Sequence, residues 1–219
     1  MIAVKRSTET SSEGFLSLAS FEEHRLPHAG PPQAVQAAEG ELLTYVMEGA
    51  VAFEDSRGLT GVIHATEFEV ASLGAGAPRS MRNASQTHAA RYFQLWLRGV
   101  TAAAAPARAQ HRFSVVSRRD TLTLVAAYEG RGGALALRHD AQVYSGVLSR
   151  GRHVIHALGA RRAAWLYMVQ GACTVGEFTL AAGESAAFTD EPCVSITAMD
   201  DAEVLLVDLS AVEVRASAQ

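Results

Sequence analysis

Residues 41–58 read Glu-Leu-Leu-Thr-Tyr-Val-Met-Glu-Gly-Ala-Val-Ala-Phe-Glu-Asp-Ser-Arg-Gly. Leu42 to Phe53 is β-prone, and Gly49 interrupts it. A glycine inside a strand pattern marks a bulge or a tight bend, as at a barrel corner. Asp55-Ser56-Arg57-Gly58 is turn chemistry leading into the next β-prone run, Leu59 to Val70.

Outward from this stretch, short β-like segments recur: 42–53, 59–72, 90–98, 113–117, 121–128, 134–139, 142–148, 153–158, 163–170, 172–175, 177–181, 186–189, 193–198 and 203–208. Long amphipathic helical patterns are scarce. Many short strands with glycine-containing turns predict antiparallel sandwiches or barrels. Gly99 to Gln110 breaks the pattern and reads as a connector between domains. The predicted layout is a first domain over 1–99, a linker over 100–112, a second domain over 113–210 and a tail over 211–219.

A faint repeat relates the halves. Tyr45-Val-Met-Glu-Gly49 matches Tyr167-Met-Val-Gln-Gly171, and in each half a second strand follows, opened by a glutamate, Glu67 or Glu184. A repeated β-barrel with a glycine bend and a Gly-Glu-like turn resembles the cupin architecture. Two copies make an all-β bicupin.

Composition sets limits. The chain has 219 residues, 48% of them hydrophobic, enough for one large or two small cores. The net charge is −4, and Arg118-Arg119 and Arg161-Arg162 are isolated pairs, which argues against binding nucleic acid through phosphates. No run approaches the ~20 apolar residues of a membrane helix. The first residues lack an apolar signal-peptide core, so a cytoplasmic location is expected. Cys173 and Cys193 are too few for a disulfide framework and read as buried thiols.

The stretch Glu41–Gly58 resembles the pirin family, whose signature there is close to E-x-x-T-Y-V-L-E-G-x-V-x-x-x-D-S-x-G. Gly74-Ala-Gly76 with Ser80 and Asn83, then Gln94-Leu95-Trp96, extend the match. Arg161-Arg162-Ala-Ala-Trp165, Gly171 and Ala202–Leu209 continue it through the second half. The resemblance implies a bicupin that is a monomer. In the enzymatic type it also implies one divalent metal, usually iron, in the first barrel, held by an H-x-H and an H-x-E. Alternate strand residues share a face, so each motif aims two ligands inward.

Aligned on Glu41 and Gly76, this chain has Val35 and Ala37 at the H-x-H positions, and Arg79 and Met81 at the H-x-E positions. No ligand remains at the four. Val and Ala cannot coordinate, Arg stays cationic, and Met is too soft for an iron(II) oxygen site. Residues 29–43 and 65–87 contain no histidine, so a small slip of the alignment does not restore the motif. The expectation is therefore no metal cofactor. Arg79 becomes a candidate for holding an anionic ligand, against pairing with an acidic neighbour or reaching solvent.

Other chemistry is sparse. His24 and His28 flank a turn at Pro27 and are weighed as a displaced metal site or as loop histidines. Glu41 is a further acid/base candidate. His64 has the parity to point inward, and His153 and His156, three apart, face opposite sides of a strand. No G-x-S-x-G and no phosphate loop occurs. The reading is a metal-free, non-enzymatic binding or regulatory module whose partner is an unknown small molecule or protein. The alternatives are an oxygenase of the quercetin 2,3-dioxygenase type with a relocated metal site, and a metal-independent small-molecule enzyme using the first-barrel pocket.

Overall fold

A computed structural model of the chain describes residues 1–5, 11–35, 40–56, 58–73, 78–98 and 107–211. These residues form two units. One lies within Leu18–Phe113 together with Ser11–Gly14. The other lies within Met1–Thr10, Phe15–Ser17 and Ser114–Gln219. The architecture is all-β with two cupin domains, and the one helical turn among the described residues is Arg131–Gly133. Among the described residues no helix is long and apolar enough to cross a membrane.

Strands are numbered in chain order from β1 (Ile2–Lys5), which belongs to the second-half unit. The first-half unit has a six-stranded sheet. Its order is β11 (Arg108–Arg112), β8 (Glu67–Leu73), β5 (Gly40–Glu48), β10 (Ala90–Leu97), β3 (Leu18–Leu26), β2 (Ser11–Phe15). Facing it is a four-stranded sheet, β4 (Gln33–Val35), β9 (Arg79–Asn83), β6 (Ala50–Asp55), β7 (Thr60–His64). Alternation decides what lies between the two sheets. Leu42, Val46, Tyr92 and Trp96 of one pack with Val35, Val51, Phe53 and Met81 of the other. On the opposite face of the large sheet, Phe21, Phe93, Tyr45 and Phe68 stack in a row with centroids 5.7, 6.1 and 4.2 Å apart.

In the second-half unit, β1 pairs with β19 (Ser185–Phe188), followed by β16 (Arg162–Gln170), β21 (Ala202–Ser210), β14 (Ala141–Leu148), β12 (Thr123–Tyr128) and β13 (Leu135–Leu137). The smaller sheet is β15 (His153–Ala157), β20 (Cys193–Ala198), β17 (Ala172–Val175), β18 (Phe178–Ala181). Leu166, Phe188 and Leu206 pack against Cys173, Leu180 and Ile196 between them. Arg118, wholly buried, donates to Ser145 and Glu203, each at 2.7 Å.

The repeat read in the sequence has a geometric counterpart. Gly49 and Gly171 both have φ of 75°. A Cβ at either would meet backbone oxygen, Ala89 O at 2.7 Å or Asp201 O at 2.4 Å. Both opening glutamates bind the backbone N–H three residues earlier: Glu67 accepts from His64 at 2.7 Å and Glu184 from Ala181 at 2.9 Å. Thr66 N–H donates to Val46 O, and Gly183 N–H to the equivalent Met168 O, both at 2.8 Å.

Several expectations need correcting. β1 pairs with β19, so the start of the expected 1–99 domain is built into the other unit. The segment 100–112 includes β11, which pairs with β8 of the first-half unit. Residues 113–117 are not a strand, because Ser114 Oγ accepts the Ser117 N–H and turns the chain. His64 is exposed, since Ile63 is the inward residue of β7. Cys173 is buried, but Cys193 is partly exposed. The chain reverses after Asp55, whose Oδ1 accepts from Leu59 N–H and whose carbonyl accepts from Gly58 N–H, both at 2.9 Å; Arg57 lies outside the described residues.

Candidate functional site

The inward positions of the large sheet of the first-half unit carry a polar row. Across five strands the directly paired residues are Gln110, Glu69, Thr44, Gln94 and Glu22. One step along, Val46, Tyr92 and His24 are paired in the same way. On the small sheet Val35 pairs with Arg79 and Gln33 with Met81. Three of the four positions at which the resemblance implies metal ligands are thus found on two neighbouring strands. Val35, Arg79 and Met81 are all buried. Ala37 lies outside the described residues.

Arg79 is neither solvent-directed nor free to take an anion. Its Nη1 donates to Glu69 Oε2 at 2.7 Å and its Nη2 to Glu69 Oε1 at 2.9 Å. Arg108 donates through Nε to the same carboxylate. Both guanidinium groups lie over the Phe53 ring, at 3.7 and 4.5 Å from its centroid. A bidentate pair of this kind is strong because the planar fork matches the carboxylate. The same guanidinium would repel a divalent cation at this position, and Val35 and Met81 offer no hard donor. The residues here therefore do not fit an iron, manganese or nickel site. Among the described residues no three His, Cys, Asp or Glu side chains are grouped as metal ligands.

A cavity of about 110 Å³ lies against Val35, the cross-strand partner of Arg79, and is lined chiefly by Glu22, His24, Val35, Tyr92, Gln94 and Trp96. His24 sits on β3, not in a loop. It stacks on Tyr92 at 4.6 Å and 12°, and its Nε2 lies 3.2 Å from Glu22 Oε2. That contact has ion-pair distance but not hydrogen-bond alignment. Burial lowers the His24 pKa below 6.5, with Glu22 opposing, so the ring is held neutral. Burial raises the Tyr92 pKa, helped by Glu22 and opposed by Arg79, so the phenol keeps its proton. His28 is exposed on the turn after β3 and does not line the cavity. Asn83 pins that turn, donating to Leu26 O at 3.1 Å and His88 O at 2.8 Å. Glu41 is buried and accepts from Ser72 Oγ at 3.4 Å, away from the cavity lining.

The cavity wall also holds unsatisfied polarity. Both amide atoms of Gln94, the Tyr92 hydroxyl and His24 Nε2 are buried without a hydrogen-bond partner. Thr44 Oγ1 and Arg79 Nε, in the same interior, are equally unpaired. Gln94 leans toward His24 and favours its protonation, yet neither amide atom completes a hydrogen bond. Native interiors rarely leave so many polar groups unmet unless water or a ligand joins them.

Sequence reasoning missed Glu69, Gln94, Tyr92 and Glu22 as site residues. The signal was weak but present: Tyr92, Gln94 and Trp96 alternate on one face of an otherwise apolar run.

Residues 8–97 match the Pirin family, and residues 124–209 match the quercetinase C-terminal cupin domain. Quercetin 2,3-dioxygenase of Escherichia coli K12 is 33% identical over 169 residues, spanning 77% of this chain and 72% of that protein. A pirin-like protein of Caulobacter vibrioides is 32% identical over the same shares. Among solved structures, YhhW from Escherichia coli superposes with a TM-score of 0.87 at 26% identity, covering 97% of this chain and 99% of that one. The same bacterial pirin in complex with nickel(II) gives 0.85, again at 26% identity, with 97% and 100% covered. With matches in both halves and relatives above 30% identity over most of its length, the chain belongs to the pirin family.

Proposed function

We propose that this pirin works without a metal, as a non-enzymatic binding or regulatory module that takes a small molecule in the first-half unit. One observation carries the reading: the Arg79 guanidinium stands where the family resemblance puts a ligand, and both its Nη atoms are committed to Glu69. Loss of hard donors alone would leave an inert core. Here the core instead keeps a cavity with unmet hydrogen-bond donors and acceptors, the usual form of a binding site. Elemental analysis of protein purified without a polyhistidine tag tests the reading. The expected result is well under one equivalent of iron, manganese, nickel or zinc, with no quercetin turnover above a boiled control. One retained equivalent after dialysis overturns it.

The second reading is an oxygenase with a relocated metal. It is favoured by relatives named quercetin 2,3-dioxygenase and by the closeness of His24 to Glu22. Two donors are too few to hold a catalytic metal, which takes three protein ligands or more. The same elemental analysis decides between the readings.

A further inference from the structure

Resting on the metal-independent reading above, we infer that the cavity recognises a compact, uncharged amide- or urea-type molecule, read out by the side-chain amide of Gln94. Three observations lead there. The first is size. About 110 Å³ is well below the ~300–1,000 Å³ of pockets for drug-sized ligands, and it suits a ring of about six non-hydrogen atoms.

The second is charge. Arg79, the cross-strand partner of the cavity-lining Val35, and Arg108 are both bonded to Glu69, and burial lowers the His24 pKa toward the neutral ring. The carboxylate lining the cavity, Glu22, disfavours an anion. No uncommitted positive group lines the cavity to receive a carboxylate or phosphate, so the occupant is not an anion.

The third is hydrogen-bond complementarity. Gln94 is fully buried and presents one acceptor, Oε1, and one donor group, Nε2, neither of them partnered. A molecule with a carbonyl beside an N–H pairs with both at once, as two amides do. The Tyr92 hydroxyl, also unpartnered and kept protonated, supplies a further donor for the second lone pair of that carbonyl. A site with paired polar groups of this kind rejects apolar isosteres, since those leave the protein atoms buried and unmet.

The test uses the intact chain and imidazolidin-2-one, a cyclic urea of six non-hydrogen atoms. Saturation-transfer NMR and thermal shift are run in the presence of EDTA, with cyclopentanone and acetate as comparison probes. The urea is expected to bind saturably with a Kd of order millimolar, as suits so few atoms. Cyclopentanone should bind at least about tenfold more weakly, and acetate not at all. Gln94→Met should weaken urea binding by about 10- to 100-fold, and Tyr92→Phe by about 3- to 10-fold. The second variant keeps the ring and its stacking, so it reports even if the first fails to fold. Urea binding unchanged in a folded variant, no saturable urea binding, or preference for acetate overturns the inference. Metal content measured on the same sample judges the metal-independent reading separately: a metal-free protein that ignores the urea leaves that reading standing and removes this one.

Discussion

The Arg79 guanidinium and the Glu69 carboxylate meet through two parallel hydrogen bonds of 2.7 and 2.9 Å, with both side chains sealed from solvent. A carboxylate this deep is tolerated because two guanidinium groups compensate it. Glu69→Gln should therefore destabilise the first-half unit by about 3–5 kcal/mol, because two cations lose their counter-ion. Arg79→Met should cost less, about 1–3 kcal/mol, since Arg108 still covers Glu69. Urea unfolding followed by tryptophan fluorescence measures both. Equal costs would show that Arg108 does not share the charge.

Introducing donors at these positions should create a metal site. Val35 and Arg79 are cross-strand partners, and Met81 follows Arg79 on the same face. Val35→His, Arg79→His and Met81→Glu together would place two imidazoles and a carboxylate side by side. Nickel(II) is expected to raise the melting temperature of this triple variant by a few degrees and to leave the parent protein unchanged. A folded variant indifferent to nickel would mean that these side chains do not converge.

His24 predicts an acid limit. Its folded pKa lies below the 6.5 of the unfolded chain, mainly through burial and against the pull of Glu22 and Glu23. Between the two values the unfolded state binds more protons, so stability falls as pH drops below 6.5 and is fully present above it. His139 is lowered for the same reason and adds to the effect. Replacing His24 by Gln should flatten the loss between about pH 7.5 and about pH 5, leaving the share due to His139. Urea midpoints at the two pH values test this, and an identical loss in the variant would contradict it.

The thiols should separate. Burial pushes the Cys173 thiol up to about 12, and its sulfur rests 3.2 Å from Met168 Sδ. Cys193 is partly exposed. In native protein a thiol reagent should label Cys193 first and Cys173 only on unfolding. Mass spectrometry of partly labelled protein reads the order.

The two bend glycines should be intolerant. Gly49→Ala places a Cβ in a left-handed conformation and against Ala89 O. A loss of more than about 1 kcal/mol is expected in the first-half unit, with an equivalent loss for Gly171→Ala in the other. Denaturation of each variant should show its own unit failing first.

The sequence by itself determined the all-β class, the paired cupin domains, the glycine bends at Gly49 and Gly171 and the identities of Val35, Arg79 and Met81 at the positions where the resemblance implies ligands. These are local facts. Period-two alternation, a residue that must take positive φ and the identity of a side chain at an aligned position need no knowledge of distant neighbours. β3 and β9 escaped notice for the converse reason. Their inward residues, Glu22, His24 and Arg79, are polar because they face a cavity and an ion pair, which erases the apolar alternation that marks a strand. Only the tertiary structure decided that Arg79 answers Glu69 across the two sheets, and that Gln94, Tyr92 and His24 share one wall. Strand pairing and the packing of one sheet on the other bring together residues some 10 to 70 positions apart, and a buried charge or amide carries in its own sequence neighbourhood no record of the partner that will meet it or fail to.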